Sequence, residues 1–168
     1  VNLNKLSGMQ YQLDAHIIQR KGLRGRDLTL NTIYALQVEV AELANEVRFF
    51  KHWSNNRMIN PVKALEEYVD GLHFFLSLGN GMGMEWDHDF SLEKIGSIRT
   101  TFASITKRLS DAWWNYHDNQ IADYRTNWLF ALQSYLHLGG LLGFTEEAIT
   151  QAYKDKNAKN YLRQKSGY

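Results

Sequence analysis

The chain contains no cysteine. Disulfides, thiol nucleophiles and thiolate metal sites are thereby excluded, and the composition suits a reducing cytoplasm, which is the expected compartment. Proline is nearly as scarce, with Pro61 standing alone among 168 residues, and strand-like alternation of apolar and polar residues is hard to find. Charge of one sign is missing too: a net charge of +1 gives no long-range pull toward nucleic acid or an anionic membrane. Any anion binding must come from a local arrangement, and the expected ligand is a small charged molecule. No run of about 18 apolar residues and no basic-then-apolar leader occurs, so neither membrane spanning nor export is expected. A length of 168 residues suits one domain covering 1–168, or one subunit of a small oligomer, with room for a real core.

What is present is apolar spacing at i, i+3 and i+4, which predicts an all-α fold, a bundle of about six helices. Leu3, Leu6, Met9, Leu13 and Ile17 form a stripe on a first helix ending near Lys21 and Gly22. A second helix is expected from around Asp27 to Asn31, where capping side chains cluster, to about Trp53. Asn60 and Pro61 predict the start of a third, ending near Gly79. The segment GNGMGMEWDHD reads as a loop. A fourth helix is expected over about Leu92 to Tyr116, a fifth over Ile121 to Leu138 stopped by Gly139 and Gly140, and a sixth capped by Thr145.

Four carboxylates carry the chemistry. Glu39 and Glu42 lie in QVEVAELANEVRFFKHW, Glu67 and Asp70 in ALEEYVDGLHFFLSLG. Each pair is spaced i, i+3, which turns about 300° on a helix and returns both acids to one face. Apolar neighbours (Val38, Val40, Leu43 and Val69, Leu72, Phe75) set the acids beside a packing face, where unneutralised charge is expensive. On two antiparallel helices the pairs would meet, and about two Mg²⁺ ions per site would cancel the charge; oxygen ligands favour Mg²⁺, or Mn²⁺ as a substitute, over Zn²⁺. A single E-x-x-E is otherwise an ordinary solvated face, and it is the second pair that points to metal. Glu46 shares the face of Glu39 and Glu42, as an added ligand or as the partner of a nearby base. Glu66 points about 100° away, toward solvent.

Lys156, Asn160 and Arg163 recur at i, i+4, i+7 near the C-terminus, one helix face that suits either a polyanion or solvent. Lys51 and Trp53 close the second helix, where the cation can meet phosphate and the indole can stack on a base or simply pack. His73 follows Asp70 by one turn and reads as a base contact or a satisfied core histidine. Asp87, His88 and Asp89 sit consecutively in a loop, a poor arrangement for one ion. Trp113, Trp114 and Tyr116 read as core or interface.

With E-x-x-E followed by E-x-x-D in hand, the chain resembles the dimeric all-α dUTPase family, within the MazG-like nucleoside triphosphate pyrophosphohydrolases. EVAELANEVRFFKHWS and ALEEYVDGLHFFLSLG look like the family's metal-binding helices, MQYQLDAHI like its N-terminal substrate helix, and KNAKNYLRQKSGY like its C-terminal motif. The stretch from about Asn80 to Trp128 departs from the pattern. The resemblance implies that Glu39, Glu42, Glu67 and Asp70 bind Mg²⁺. It further implies that Lys156, Asn160, Arg163 and Tyr168 contact phosphates and sugar, that Gln10 and Asn31 lie near the nucleotide, and that His73, Phe74 and Trp53 surround the uracil. A homodimer completing the active site across subunits is implied as well, and the 13% aromatic content suits one.

The expected reaction is dUTP plus water giving dUMP and pyrophosphate, with dUDP as a further possible substrate. Glu42 is the expected residue for orienting or deprotonating the water, and Lys156 and Arg163 for stabilising the leaving charge. Three alternatives stand beside it: a relative acting on dCTP or several NTPs, a catalytically silent nucleotide-binding regulator, and a di-iron bundle. The last needs E-x-x-H pairs, and neither acid pair ends in His.

Overall fold

The computed structural model describes residues 1–86 and 92–166. They form six helices and no strand: α1 (Leu3–Arg20), α2 (Thr29–Val47), α3 (Pro61–Gly81), α4 (Ile98–His117), α5 (Ile121–Leu141) and α6 (Glu146–Lys165). Helix α3 is the axis, packed against α2, α1 and α6, while α4 and α5 pair with one another and α4 leans on α2. The family architecture implied by the sequence, a compact all-α bundle, is the one observed.

Local chemistry explains most boundaries. Asn60 accepts the Lys63 N–H at 3.2 Å and Pro61 occupies the first turn, so α3 begins where the sequence placed it. The Thr145 side chain accepts the Ala148 N–H, with Glu146 and Glu147 in the positive first turn of α6. Asp27 accepts the Thr29 N–H at 3.0 Å and the Tyr116 hydroxyl at 2.8 Å, tying the start of α2 to the end of α4.

Three expectations are corrected. Helix α2 stops at Val47 rather than near Trp53, because Arg48 takes a left-handed conformation (φ 61°) and turns the chain so that Phe49 stacks on Phe102 of α4 at 4.8 Å. Lys51 and Trp53 therefore stand in a loop. Helix α4 begins at Ile98, six residues late, since Gly96 is left-handed (φ 80°) and Ser97 forms a reciprocal capping box with Thr100. Gly139 and Gly140 do not stop α5, which continues to Leu141. A side chain at Gly139 would come within 2.6 Å of the Tyr68 hydroxyl, and one at Gly140 would strike the Leu92 carbonyl, so these glycines permit close packing rather than a turn.

The core gathers on α3. Tyr68 and Tyr135 are fully buried with rings stacked at 4.6 Å, and the Tyr135 hydroxyl donates to the Tyr68 carbonyl at 2.8 Å. Gly71 leaves room for that hydroxyl. The fit fixes α3 against α5 and so fixes the height of Glu67, Asp70 and His73, which project from the other sides of α3.

Candidate functional site

Glu39 of α2 and Glu67 and Asp70 of α3 bring one carboxylate oxygen each within 4.8 Å of one another, all three half-buried. Among the described residues this is the group able to hold a metal ion. Burial pushes the Glu39 carboxyl up to about 7, aided by the charges of Asp70, Glu42 and Glu67. Glu67 is raised by the same combination, burial first and then Asp70 and Glu42. Like charges held together with partial loss of water make an anionic hole that a hard cation relieves, and the all-oxygen donor set fits Mg²⁺ or Mn²⁺. Glu42, one turn along α2, is exposed; it stands outside the group of three but contributes its charge to both glutamates.

Lys156 of α6 leans into this hole. Its ammonium donates to Asp70 and lies 3.5 Å from Glu66, and its side chain is only 11% exposed. Burial opposes the Lys156 charge, but Asp70 and Glu66 outweigh it and the pKa rises. Asp70 is raised in spite of this partner, because burial outweighs the hydrogen bond from Lys156. Exposed Glu66 is lowered, first by Lys156, and also pairs with Lys159 at 3.6 Å. One lysine thus partly neutralises the site from the α6 side.

A cavity of about 1110 Å³ opens beside the acids. Glu39, Asp70, Lys156, Asn160 and Arg163 line it, and so do Gln10, His73 and Phe74. Its volume exceeds the roughly 300–1,000 Å³ of ordinary small-molecule sites and has room for a nucleotide. The Gln10 end is built from a chain of side-chain hydrogen bonds. The Tyr153 hydroxyl donates to Gln10 Oε1 at 2.7 Å, and Gln10 Nε2 donates to Asp14 Oδ1 at 2.8 Å. The His73 ring lies flat on Tyr153 at 3.9 Å and donates through Nδ1 to the Val69 carbonyl at 2.7 Å. That bond fixes the tautomer and leaves Nε2 a buried acceptor with no intramolecular partner. Burial holds His73 down at about 4, so the ring is neutral.

Other expected site residues lie elsewhere. Asn31 is exposed on the first turn of α2 and does not line the cavity, although Thr29 and Thr32 beside it do. Lys51 and Trp53 stand beyond α2, with Trp53 66% exposed and edge-on to Phe50 and His52. Tyr168, like Asp87, His88 and Asp89, lies outside the described residues. Tyr116 packs against the core as expected and also lines the cavity. Sequence reasoning passed over Asp14 and Ser77, which also line it. Asp14 follows Gln10 by one turn and adjoins Leu13 of the apolar stripe, a signal legible only once that stripe is known to border a cavity.

No helix among the described residues is long and apolar enough to cross a membrane. None of the curated proteins compared with the chain matches it. The family model described as dUTPase matches residues 2–168, and with this match over nearly its whole length the chain belongs to the dUTPase family, making it a dUTP diphosphatase, a hydrolase of acid anhydrides.

Proposed function

We propose that the dUTP diphosphatase reaction runs at the cavity between α1, α2, α3 and α6, is dependent on Mg²⁺, and yields dUMP and pyrophosphate. The supporting observation is the convergence of Glu39, Glu67 and Asp70 within 4.8 Å of one another, beside a cavity that Glu39, Asp70, Lys156 and Arg163 line. When bound, Mg²⁺ withdraws charge from the phosphate oxygens and lowers the pKa of a water. Glu39, Glu67 and Asp70 would hold about two such ions, with Glu42 completing the set from the next turn of α2. Exposed Glu42 orients the attacking water or takes its proton. Lys156 and Arg163 stabilise charge on the departing pyrophosphate, and Asn160 donates to phosphate or sugar.

The base enters the opposite end, against Gln10, His73 and Phe74, away from bulk water. Asn31, Lys51 and Trp53, which do not line the cavity, and Tyr168 are the further nucleotide contacts of this reading. A homodimer fits the exposed apolar side chains of Tyr34 and Val38, one turn apart on α2, and of Trp53, Met58 and Val62 beyond it. Its partner would complete the rim, with dUDP a further substrate of the same site. In a cytoplasmic setting the reaction limits uracil incorporation into DNA and supplies dUMP for dTMP synthesis.

The test is pyrophosphate release from dUTP, dTTP, dCTP, UTP and dATP, with Mg²⁺ and with chelator, on wild type and Glu42→Ala. Metal-dependent turnover confined to dUTP and lost in the variant is expected. Turnover spread over the panel leaves the metal site standing and removes the base selectivity. Turnover that survives chelation removes the metal.

A further inference from the structure

Asp14 is a half-buried carboxyl on the cavity wall that neither metal binding nor phosphate chemistry uses. We propose that Asp14 is the positioning residue for base selection: by accepting the Gln10 N–H it fixes which end of that amide faces the pyrimidine. This rests on the proposed placement of the base against Gln10 and His73.

A glutamine amide is nearly symmetrical in shape and opposite in chemistry at its two ends, so a pocket that reads a base through it needs something to stop it flipping. Asp14 and Tyr153 do this from both sides. Asp14 Oδ1 accepts from Gln10 Nε2 at 2.8 Å, and the Tyr153 hydroxyl donates to Gln10 Oε1 at 2.7 Å. Were the amide reversed, its oxygen would face the Asp14 carboxylate, which has nothing to donate, and its NH₂ would face a hydroxyl that must turn its own proton elsewhere. The Ser77 side chain also hydrogen-bonds Asp14, which keeps the carboxylate seated although burial raises its pKa. The same tyrosine supports the His73 ring face to face at 3.9 Å, so one network sets both groups.

The consequence is a pair of defined polarity beneath the cavity surface, which a base meets as it seats against the His73 ring. His73 Nε2, buried and without a partner, is an acceptor, and the second N–H of Gln10, with no acceptor among the described residues, is a donor. An acceptor and a donor in sequence match the N3–H and adjoining carbonyl of uracil. Cytosine offers a bare N3 and an exocyclic amine, the reverse pattern. A flipped Gln10 would turn the pair into two acceptors and favour that amine. Base discrimination therefore depends on Asp14, which acts through Gln10.

The experiment compares kcat/KM for dUTP and dCTP in wild type, Asp14→Asn and Tyr153→Phe. Asparagine keeps the size of Asp14 but presents either a donor or an acceptor, which frees the Gln10 amide to reverse. The ratio of dUTP to dCTP is expected to fall about tenfold in Asp14→Asn and by a smaller factor in Tyr153→Phe, as expected when one oriented hydrogen bond is lost. Damage that is merely structural lowers the active fraction for both nucleotides alike and leaves the ratio unchanged. An unchanged ratio in Asp14→Asn overturns the inference. If that variant does not fold, an unchanged ratio in Tyr153→Phe overturns it. Wild-type protein that hydrolyses dUTP and dCTP equally defeats the placement of the base on which the inference rests, a result separate from either variant outcome.

Discussion

The two ends of the cavity handle buried polarity in opposite ways. At the carboxylate end Glu39, Glu67 and Asp70 repel one another and one lysine partly compensates, so the metal-free protein holds unresolved charge. At the amide end Tyr153, Gln10 and Asp14 form one hydrogen-bonded line, and the His73 ring stacks on Tyr153 while its Nδ1 donates to the Val69 carbonyl. In the proposed reading the first end takes a cation from solution, and the second takes a base of the right polarity. A site that both accelerates a reaction and selects a substrate gains from this division, since selection requires preorganisation and metal binding requires stored charge.

The sharpest way to break the comparison is at Asp70, which belongs to the acid group and anchors Lys156. Asp70→Ala removes a carboxylate of the proposed metal site and leaves a nearly buried ammonium with exposed Glu66 at 3.5 Å. Turnover of dUTP is expected to fall by about 10³-fold or more and stability by about 3 kcal/mol, measured by pyrophosphate release and urea unfolding. Helix α3 carries both ends, so displacing it should damage both together. Gly71→Ala would drive a methyl into the Tyr135 hydroxyl and is expected to lower stability by about 1–3 kcal/mol, read by thermal unfolding.

The ends also differ in pH dependence, with opposite signs. Folding raises the Glu39 carboxyl from its usual 4.5 to about 7, so its contribution is fully present below pH 4.5 and is lost as pH rises through 7. Folding lowers the His73 pKa from 6.5 to about 4, so its contribution is present above pH 6.5 and is lost as pH falls toward 4. Glu39→Gln separates the two. The metal-free variant is expected to exceed wild type in stability by about 1 kcal/mol at pH 8, after allowance for solvent screening of a half-buried group, and to match it near pH 4. Denaturant unfolding in chelator at both pH values measures this. The smallest effect is expected outside the acid group: Glu66→Gln removes exposed pairs with Lys156 and Lys159, and stability should change by less than about 1 kcal/mol with dUTP turnover nearly intact.

Three of the four acids meet as the sequence led one to expect, because two acid pairs at i, i+3 on successive helices can face each other in few ways; Glu42 stands outside the group. The start of α3 was legible for a similar reason, since Asn60 and Pro61 act on their own first turn. The amide end was not. Its connections run from Gln10 on α1 to Tyr153 on α6 and His73 on α3, and nothing local in Asp14 distinguishes it from a solvated aspartate. The glycines at 139 and 140 misled because a glycine pair usually marks a turn, whereas here close approach by Tyr68 and the Leu92 carbonyl decides. Arg48 misled the other way: a residue with good helix propensity takes the left-handed conformation so that Phe49 can stack on Phe102. Tertiary contact overruled local preference in both.

The most direct test of the central claim, that the carboxylate end is a divalent-cation site required for dUTP hydrolysis, is a Mg²⁺ titration of thermal stability at pH 8 on wild type and Glu39→Gln, read beside pyrophosphate release on the same samples. Wild type should gain about 3 kcal/mol, or roughly 5–10 °C, as Mg²⁺ reaches a hundredfold excess over its dissociation constant, with turnover rising in parallel. Glu39→Gln should show neither change. Equal Mg²⁺ stabilisation in both proteins, or turnover that persists in chelator, would contradict the account.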